Sequence, residues 1–188
     1  AQVLDLEALA AHRGSVLGNL PGEPQPPQKM FESRVWAGLR QFDPAQPVLG
    51  EAESKKIGSV RVPEALIAAM WNGDCIRLEA AGGLRVRMLQ EEYQHFVAEP
   101  ALLGVQLDCL TALYGRQRID AWKALAAAGL WDALVRELLE NHYDPAYTRS
   151  TLKHYPHYAH GMRLEVTADS DAAFEQLAEQ CLEKIQGT

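Results

Sequence analysis

The segment His12-Arg13-Gly14-Ser15 is the first group of residues in this sequence whose types and spacing suit ligand binding. It follows a short apolar run at residues 3–6, and open α/β sheets bind their ligands outside the carboxyl ends of the strands. The Arg13 guanidinium can hold a phosphate or a carboxylate through two parallel hydrogen bonds, and Gly14 lets a ligand approach the backbone. An ordinary polar loop with a surface arginine would show the same pattern, so both interpretations stay open.

Two further arginines, Arg85 and Arg87, follow the pair Gly82-Gly83 at the start of a predicted helix. The first turn of a helix offers N–H groups to anions, and arginine side chains would strengthen such a site. Residues two apart do not share a helix face, so at most one of the two arginines points at any one ligand. A solvated helix face is the alternative interpretation.

The apolar run at residues 48–50 ends in Glu51, a pattern similar to the strand that holds Mg²⁺ in P-loop proteins. A buried strand that ends in a surface acid is common, so this pattern by itself is weak. The chain contains no Gly-Lys pair, which the phosphate-binding sequence GxxxxGK[ST] requires, and no GxGxxG. The residues alone therefore do not establish a nucleotide site.

Histidines and tyrosines are concentrated between residues 142 and 160, where His154, His157 and His160 recur every three residues. Three imidazoles could hold zinc, and Tyr155 and Tyr158 could stack on the bases of single-stranded RNA. A surface loop without a metal is the interpretation that we favour, with stacking on RNA ahead of metal binding.

Composition excludes several classes of protein. A chain of 188 residues fits one domain, or one domain with an elaboration, and its net charge of −7 argues against a wholly basic nucleic-acid-binding surface. Cys75, Cys109 and Cys181 form no CxxC pair, which predicts a reducing, cytoplasmic setting rather than a disulfide framework. No apolar run reaches the roughly 18 residues that cross a bilayer, so we expect no membrane partner.

Hydrophobic periodicity predicts strands that alternate with helices over residues 1–99. The predicted strands are residues 3–6, 47–51, 75–79 and 162–167. The predicted helices are residues 29–41, 63–71, 84–97, 101–114, 116–128 and 130–141, with a last helix that Asp169 or Ser170 caps. The predicted loops are residues 19–28 and 143–160. This order indicates an α/β fold with a mostly parallel sheet and a helical insertion or subdomain.

Four stretches together carry a resemblance to a known family. The first is Asp5-Leu6-Glu7, leading through Ala11-His12-Arg13-Gly14-Ser15 to Gly18, and the second is Gln28 with Phe31-Glu32. The third is Glu51 and Glu53-Ser54 with Ile57-Gly58, Pro63, Leu66 and Met70, where Ala52 departs from the family pattern. The fourth is His142-Tyr143-Asp144-Pro145 with Tyr147 and Ser150. In this order they resemble the C-terminal half of the bacterial tRNA 2-selenouridine synthases, over nearly the whole chain. The resemblance implies a sheet of the P-loop NTPase type. In the full-length enzyme it also implies a preceding rhodanese domain with an active cysteine.

The resemblance further implies a division of the chain. Residues 1–99 would be an incomplete P-loop-type α/β domain, residues 100–142 a helical subdomain, and residues 143–188 the loop, strand and helix that complete the α/β domain. Residues 3–6 would be the second strand of the sheet, beside a first strand outside this chain. The Walker lysine and the rhodanese cysteine would also lie outside it, so no catalytic residue is assigned here and the isolated chain is expected to be inactive.

By the same resemblance, the full-length enzyme converts the wobble 2-thiouridine of tRNA to 2-selenouridine. It geranylates the sulfur with geranyl diphosphate and then introduces selenium from selenophosphate. The implied phosphate-binding residues are Arg13, Gly14, Ser15, Arg85 and Arg87. The residues implied to hold Mg²⁺, directly or through water, are Glu51 and Glu53. The implied tRNA contacts are His12, Tyr143, Tyr155 and Tyr158.

Two functions of other classes stay open. The first is a nucleotide-dependent, kinase-like P-loop enzyme, which an upstream P-loop without a rhodanese domain would favour. The second is a non-catalytic tRNA-binding module. Unchanged tRNA affinity after Arg13→Ala and Arg85→Ala, with binding lost after changes at Tyr155 or Tyr158, would favour that module.

Overall fold

A computed structural model describes residues 2–186 as mixed α/β structure that is mostly helical. The chain forms two compact units, which are divided between Gly73 and Asp74. Each unit is described by itself. The predicted division into residues 1–99, 100–142 and 143–188 rests on the family resemblance rather than on compactness, and it stays a prediction.

The first unit combines short strands with three helices. Its elements are β1 (Gln2–Leu4), α1 (Leu6–Ala10), α2 (Gln28–Leu39), β2 (Val48–Gly50), β3 (Lys56–Ile57), β4 (Val60–Arg61) and α3 (Glu64–Trp71). Strands β1 and β2 are parallel, with Leu4 opposite Gly50. Strands β3 and β4 form an antiparallel hairpin, which the sequence analysis did not predict.

Strand β1 is shorter than predicted, because Asp5 ends it. The backbone of Asp5 is extended and its side chain caps α1, so Leu6 belongs to the helix rather than to the strand. Leu6 is nevertheless buried, in a core that Phe31 and Val35 of α2 share with Ile57. The predicted helix at residues 29–41 is confirmed as α2, and its Phe31 and Val35 face the core as their four-residue spacing indicated.

The second unit is mainly helical. Its elements are β5 (Ile76–Ala80), α4 (Gly82–Glu92), α5 (Gln94–Ala98), α6 (Pro100–Asp108), α7 (Thr111–Tyr114), α8 (Arg116–Ala127), α9 (Trp131–Leu138), α10 (Asp144–His154), β6 (Met162–Val166) and α11 (Asp171–Gln186). A π-helical turn, Leu139–Tyr143, joins α9 to α10. The loop predicted at residues 143–160 is wrong, since α10 occupies most of it.

Strands β5 and β6 pair in parallel, with Leu78 opposite Leu164. One face of this pair packs on α4 and α11 through Leu84, Leu164, Val166 and Leu177. The predicted cap of the last helix is confirmed, because the Ser170 hydroxyl accepts a hydrogen bond from the Ala173 N–H at 3.3 Å.

The parallel pairing is therefore confirmed, but the expectation of one mostly parallel sheet is corrected. Among residues 2–186 the parallel strands form two separate two-stranded sheets, β1–β2 and β5–β6. None of the helices in this part of the chain combines the length and the apolar character needed to cross a membrane.

Candidate functional site

Two acidic side chains lie at the carboxyl ends of the paired strands β1 and β2. Asp5 follows β1, and its Oδ1 accepts a hydrogen bond from the Ala8 N–H at 2.7 Å. Glu51 follows β2, and its two carboxylate oxygens accept hydrogen bonds from the N–H groups of Leu6 at 3.0 Å and Glu7 at 3.2 Å. Because parallel strands end at the same edge of a sheet, both carboxylates lie beside the first turn of α1. There they accept hydrogen bonds from N–H groups that have no partner within the helix.

A carboxyl pair, Glu7 and Glu53, lies beside these two residues and against Gly14. The Glu7 and Glu53 side chains are hydrogen-bonded to each other. Gly14 has a φ of 64°, and a side-chain carbon built on it would overlap the Oε1 atoms of both glutamates. Two acidic groups therefore occupy the side of Gly14 on which a side chain would lie, and the phosphate-binding role of Gly14 stays a prediction.

Burial raises the pKa of Glu7 from 4.5 to about 8, with help from the hydrogen bond to Glu53 and the charges of Glu53, Glu51 and Asp5. Burial also raises the pKa of Glu53, although the hydrogen bond from Glu7 acts in the opposite direction. Glu7 is therefore the donor, and Glu53 the acceptor, of a shared proton. A carboxyl group with this pKa can exchange a proton near neutral pH.

The oxygens of these carboxylates are the ligand type that Mg²⁺ takes, and they are already hydrogen-bonded. Both oxygens of Glu51 accept backbone hydrogen bonds, and Glu53 shares a proton with Glu7. In the described part of the chain, no group of three or more His, Cys, Asp or Glu side chains could hold a metal ion. Each carboxylate oxygen has more than one lone pair, so binding of Mg²⁺ by Glu51 and Glu53, directly or through water, stays a prediction.

The segment from His12 to Ser15 forms a tight turn held by its own backbone. The Arg13 N–H donates to the Gly18 carbonyl at 2.9 Å, and the Ser15 hydroxyl accepts from the Leu17 N–H at 3.2 Å. His12 is only 4% exposed, and burial lowers the pKa of its imidazole. His12 is thus almost entirely covered by the protein in this conformation, and its contact with tRNA stays a prediction.

Arg85 and Arg87 belong to the second unit and point to different partners. Arg85 forms a two-pronged ion pair with Asp144, with N···O distances of 3.0 and 2.5 Å, and this pair raises the pKa of the guanidinium. Arg87 donates to the Gly83 carbonyl at 3.4 Å. The prediction that the two arginines do not share one ligand agrees with this geometry. Because both terminal nitrogens of the Arg85 guanidinium donate to Asp144, Arg87 is the more available cation.

The three tyrosines named as tRNA contacts lie in different surroundings. Tyr155 is 7% exposed and is part of the protein interior, and its contact with tRNA stays a prediction. The Tyr158 ring lies under the Arg77 guanidinium, 4.6 Å from its carbon to the ring centroid. Tyr143 packs edge-on against His142, with ring centroids 4.6 Å apart. Tyr143 and Tyr158 are both half-buried.

Sequence reasoning missed Glu7 as a functional residue. The available signal was its position two residues after Asp5, in the helix that follows the carboxyl end of β1. Its partner Glu53 was singled out, but only for magnesium. The pairing itself could not be seen, because Glu53 follows β2, which comes beside β1 only when these two strands pair.

Comparison with known proteins identifies relatives for most of the chain. Residues 1–106 match the family model of the tRNA 2-selenouridine synthase AAA domain. The chain is 37% identical over 178 residues to the tRNA 2-selenouridine synthase of Shewanella sediminis, an alignment that covers 78% of this chain and 47% of that relative. It is 35% identical over 94 residues to the enzyme of the same name from Nitrosomonas europaea, covering 48% of this chain and 24% of the relative.

The chain thus spans at most about half the length of these two curated relatives. No solved structure matches it.

Proposed function

Because this chain belongs to the tRNA 2-selenouridine synthase family, we propose that it forms part of an enzyme that converts the wobble 2-thiouridine of tRNA to 2-selenouridine. The observation that carries this proposal is the match of residues 1–106 to the AAA domain of that family. The 178-residue alignment with the Shewanella sediminis enzyme extends the likeness into the helical part of the chain. In the proposed full-length enzyme, a rhodanese domain with its cysteine and a P-loop with its lysine complete the machinery.

The proposed reaction passes through an S-geranylated intermediate. The sulfur of 2-thiouridine displaces diphosphate from geranyl diphosphate. The selenium of selenophosphate then displaces the geranylated sulfur as geranylthiol, and hydrolysis of the P–Se bond releases phosphate. Both co-substrates carry phosphate groups, so the enzyme needs cationic donors placed where the leaving group develops charge. Arg13, with Ser15 beside it, and Arg87 are the candidates for this role. Arg85 can take part only if its ion pair with Asp144 opens.

The local structure supports a P-loop type of fold. Strands β1 and β2 are parallel, and α1 begins directly at the carboxyl end of β1, as in crossover α/β units. All three cysteines are unpaired thiols, which is consistent with the proposed cytoplasmic setting.

A nucleoside assay tests the proposal. The chain is incubated with 2-thiouridine-containing tRNA, geranyl diphosphate and selenophosphate, beside the Shewanella sediminis synthase as positive control, and the digested tRNA is analysed by mass spectrometry. We expect geranylated and selenylated nucleosides from the control alone. Conversion by this chain alone would contradict its proposed dependence on the other domains. Phosphorylation of a small molecule by the chain would favour the kinase-like alternative.

A further inference from the structure

We infer that Arg87 and Arg136 together form a binding site for a phosphate group at Gly83 in the second unit. Arg136 is a residue that the sequence did not indicate and that lies outside the part matched by the family model. The inference deepens the proposed function and rests on it only for the class of ligand, a phosphate-bearing substrate.

The two guanidinium groups come from different helices and reach the same residue. Arg87 on α4 places its Nη1 3.4 Å from the Gly83 carbonyl oxygen. Arg136 on α9 places its Nη2 4.0 Å from the position that a side-chain carbon would take on Gly83. A hydrogen bond of 2.7 Å between Gln90 of α4 and Asp132 of α9 ties the two helices together. Both cations therefore border one small surface around Gly83.

No carboxylate in the described residues neutralises either arginine within ion-pairing distance. Asp132 lies one helical turn before Arg136, where an ion pair would be expected, but its Oδ1 accepts from Gln90 instead. Arg85, only two residues from Arg87, is fully paired with Asp144. Two unpaired like charges on one surface repel each other, and an anion placed between them would relieve that repulsion.

The surface between the arginines is open. Both Gly82 and Gly83 lack a side chain, and a carbon built on Gly82 would meet no atom within 4 Å. On Gly83 the nearest atom is the Arg136 Nη2 itself. A ligand can therefore approach the backbone at this point. The N–H groups in the first turn of α4 would add weaker donors to those of the arginines.

The shared chemistry of the ligand is a phosphate oxyanion, since the arginine fork matches phosphate in two-pronged geometry. Two sources are compatible with it: a phosphodiester of tRNA, or the diphosphate of a small co-substrate. A local cationic site is needed in either case, because the chain as a whole has a net charge of −7 and repels polyanions.

The test measures the binding of two probes, inorganic diphosphate and an unmodified tRNA transcript, to the 188-residue chain. The variants are Arg87→Ala and Arg136→Ala. The matched control is Arg116→Ala, which removes one exposed arginine from α8 in the same unit. Thermal unfolding checks that each variant is folded. Arg136→Lys keeps the charge but loses the fork, and it serves in place of Arg136→Ala if that variant does not fold.

We expect each of the two alanine variants to weaken binding of at least one probe by about tenfold, because each loses one charge-assisted hydrogen bond. We expect Arg116→Ala to bind both probes as the wild type does. The backbone N–H signals of Gly82 and Gly83 should shift in the NMR spectrum when that probe is added. Weakening for the transcript alone assigns the site to tRNA, and weakening for diphosphate alone assigns it to the small co-substrate.

The inference is overturned if the wild-type chain binds neither probe, or if Arg136→Ala behaves like Arg116→Ala with both. These outcomes are distinct from a failure of the proposed function. A chain that binds diphosphate through Arg136 would support this site even if the full-length enzyme formed no 2-selenouridine.

Discussion

At the scale of single residues, Glu7 is the side chain with the most informative surroundings. Its proton bridges to Glu53, and the charges of Glu51 and Asp5 lie nearby. The Oε1 atoms of both Glu7 and Glu53 lie close to Gly14. The type and position of Glu7 in the sequence give no hint of a shared proton, because Glu53 is far away along the chain and follows β2, the strand that pairs with β1.

Changing Glu7 to Gln tests this pair through pH dependence. The folded pKa of Glu7 is raised to about 8 from 4.5, so the folded chain binds more protons than the unfolded chain between these values. The free energy of unfolding should therefore fall as pH rises from 4.5 towards 8. Glutamine keeps the donor to Glu53 without titrating, so we expect Glu7→Gln to flatten this fall and to be more stable than the wild type at pH 8.

The measurement is urea unfolding of both proteins at pH 5.5 and pH 8. Glu64→Gln, at an exposed position on α3, is the matched control and should follow the wild-type pH dependence. A Glu7→Gln protein that loses stability with pH as steeply as the wild type would show that Glu7 does not carry the shared proton.

At the scale of elements, the helices and most strands were predictable, whereas α10 was not. Asp144-Pro145 was placed in a predicted loop, yet proline also fits the first turn of a helix, where its missing N–H costs nothing. Only Thr151 of α10 is fully buried, so the segment shows little of the apolar periodicity that indicates a helix. Part of what holds α10 is the contact of Asp144 with Arg85, which no local pattern reveals.

Replacing Asp144 with Asn should therefore weaken the second unit by about 1 kcal/mol, near the upper limit for a partly exposed ion pair, because the pair is two-pronged. The matched control is Asp108→Asn, which removes the single-contact pair with Lys123 at 2.7 Å. Chemical unfolding should show a larger loss for Asp144→Asn than for Asp108→Asn. An equal or smaller loss would mean that the Arg85 pair does not anchor α10.

At the scale of the whole molecule, the sequence predicted the parallel pairs but not their separation into two small sheets. Strand order depends on long-range pairing, and each strand here has few residues with which to specify a neighbour. The candidate site was predictable in part. The carboxyl ends of β1 and β2 were correctly expected to gather polar groups. The two carboxyl groups that lie against Gly14 were not predictable, because one of them, Glu53, comes from a distant segment.

The family was also predictable, and so was the finding that the chain matches about half the length of a family member. Both rest on motifs that can be recognised in the sequence without a three-dimensional structure. The chain spans at most about half of the two relatives compared. The proposed function is therefore best tested with the chain placed inside a full-length relative.

The most direct test replaces the matching segment of the Shewanella sediminis tRNA 2-selenouridine synthase with this chain. The nucleosides of tRNA treated with the chimera, geranyl diphosphate and selenophosphate are then measured by mass spectrometry. The account predicts 2-selenouridine from the chimera, and none from the relative with that segment deleted. A folded chimera that binds tRNA but forms neither the geranylated nor the selenylated nucleoside would contradict it.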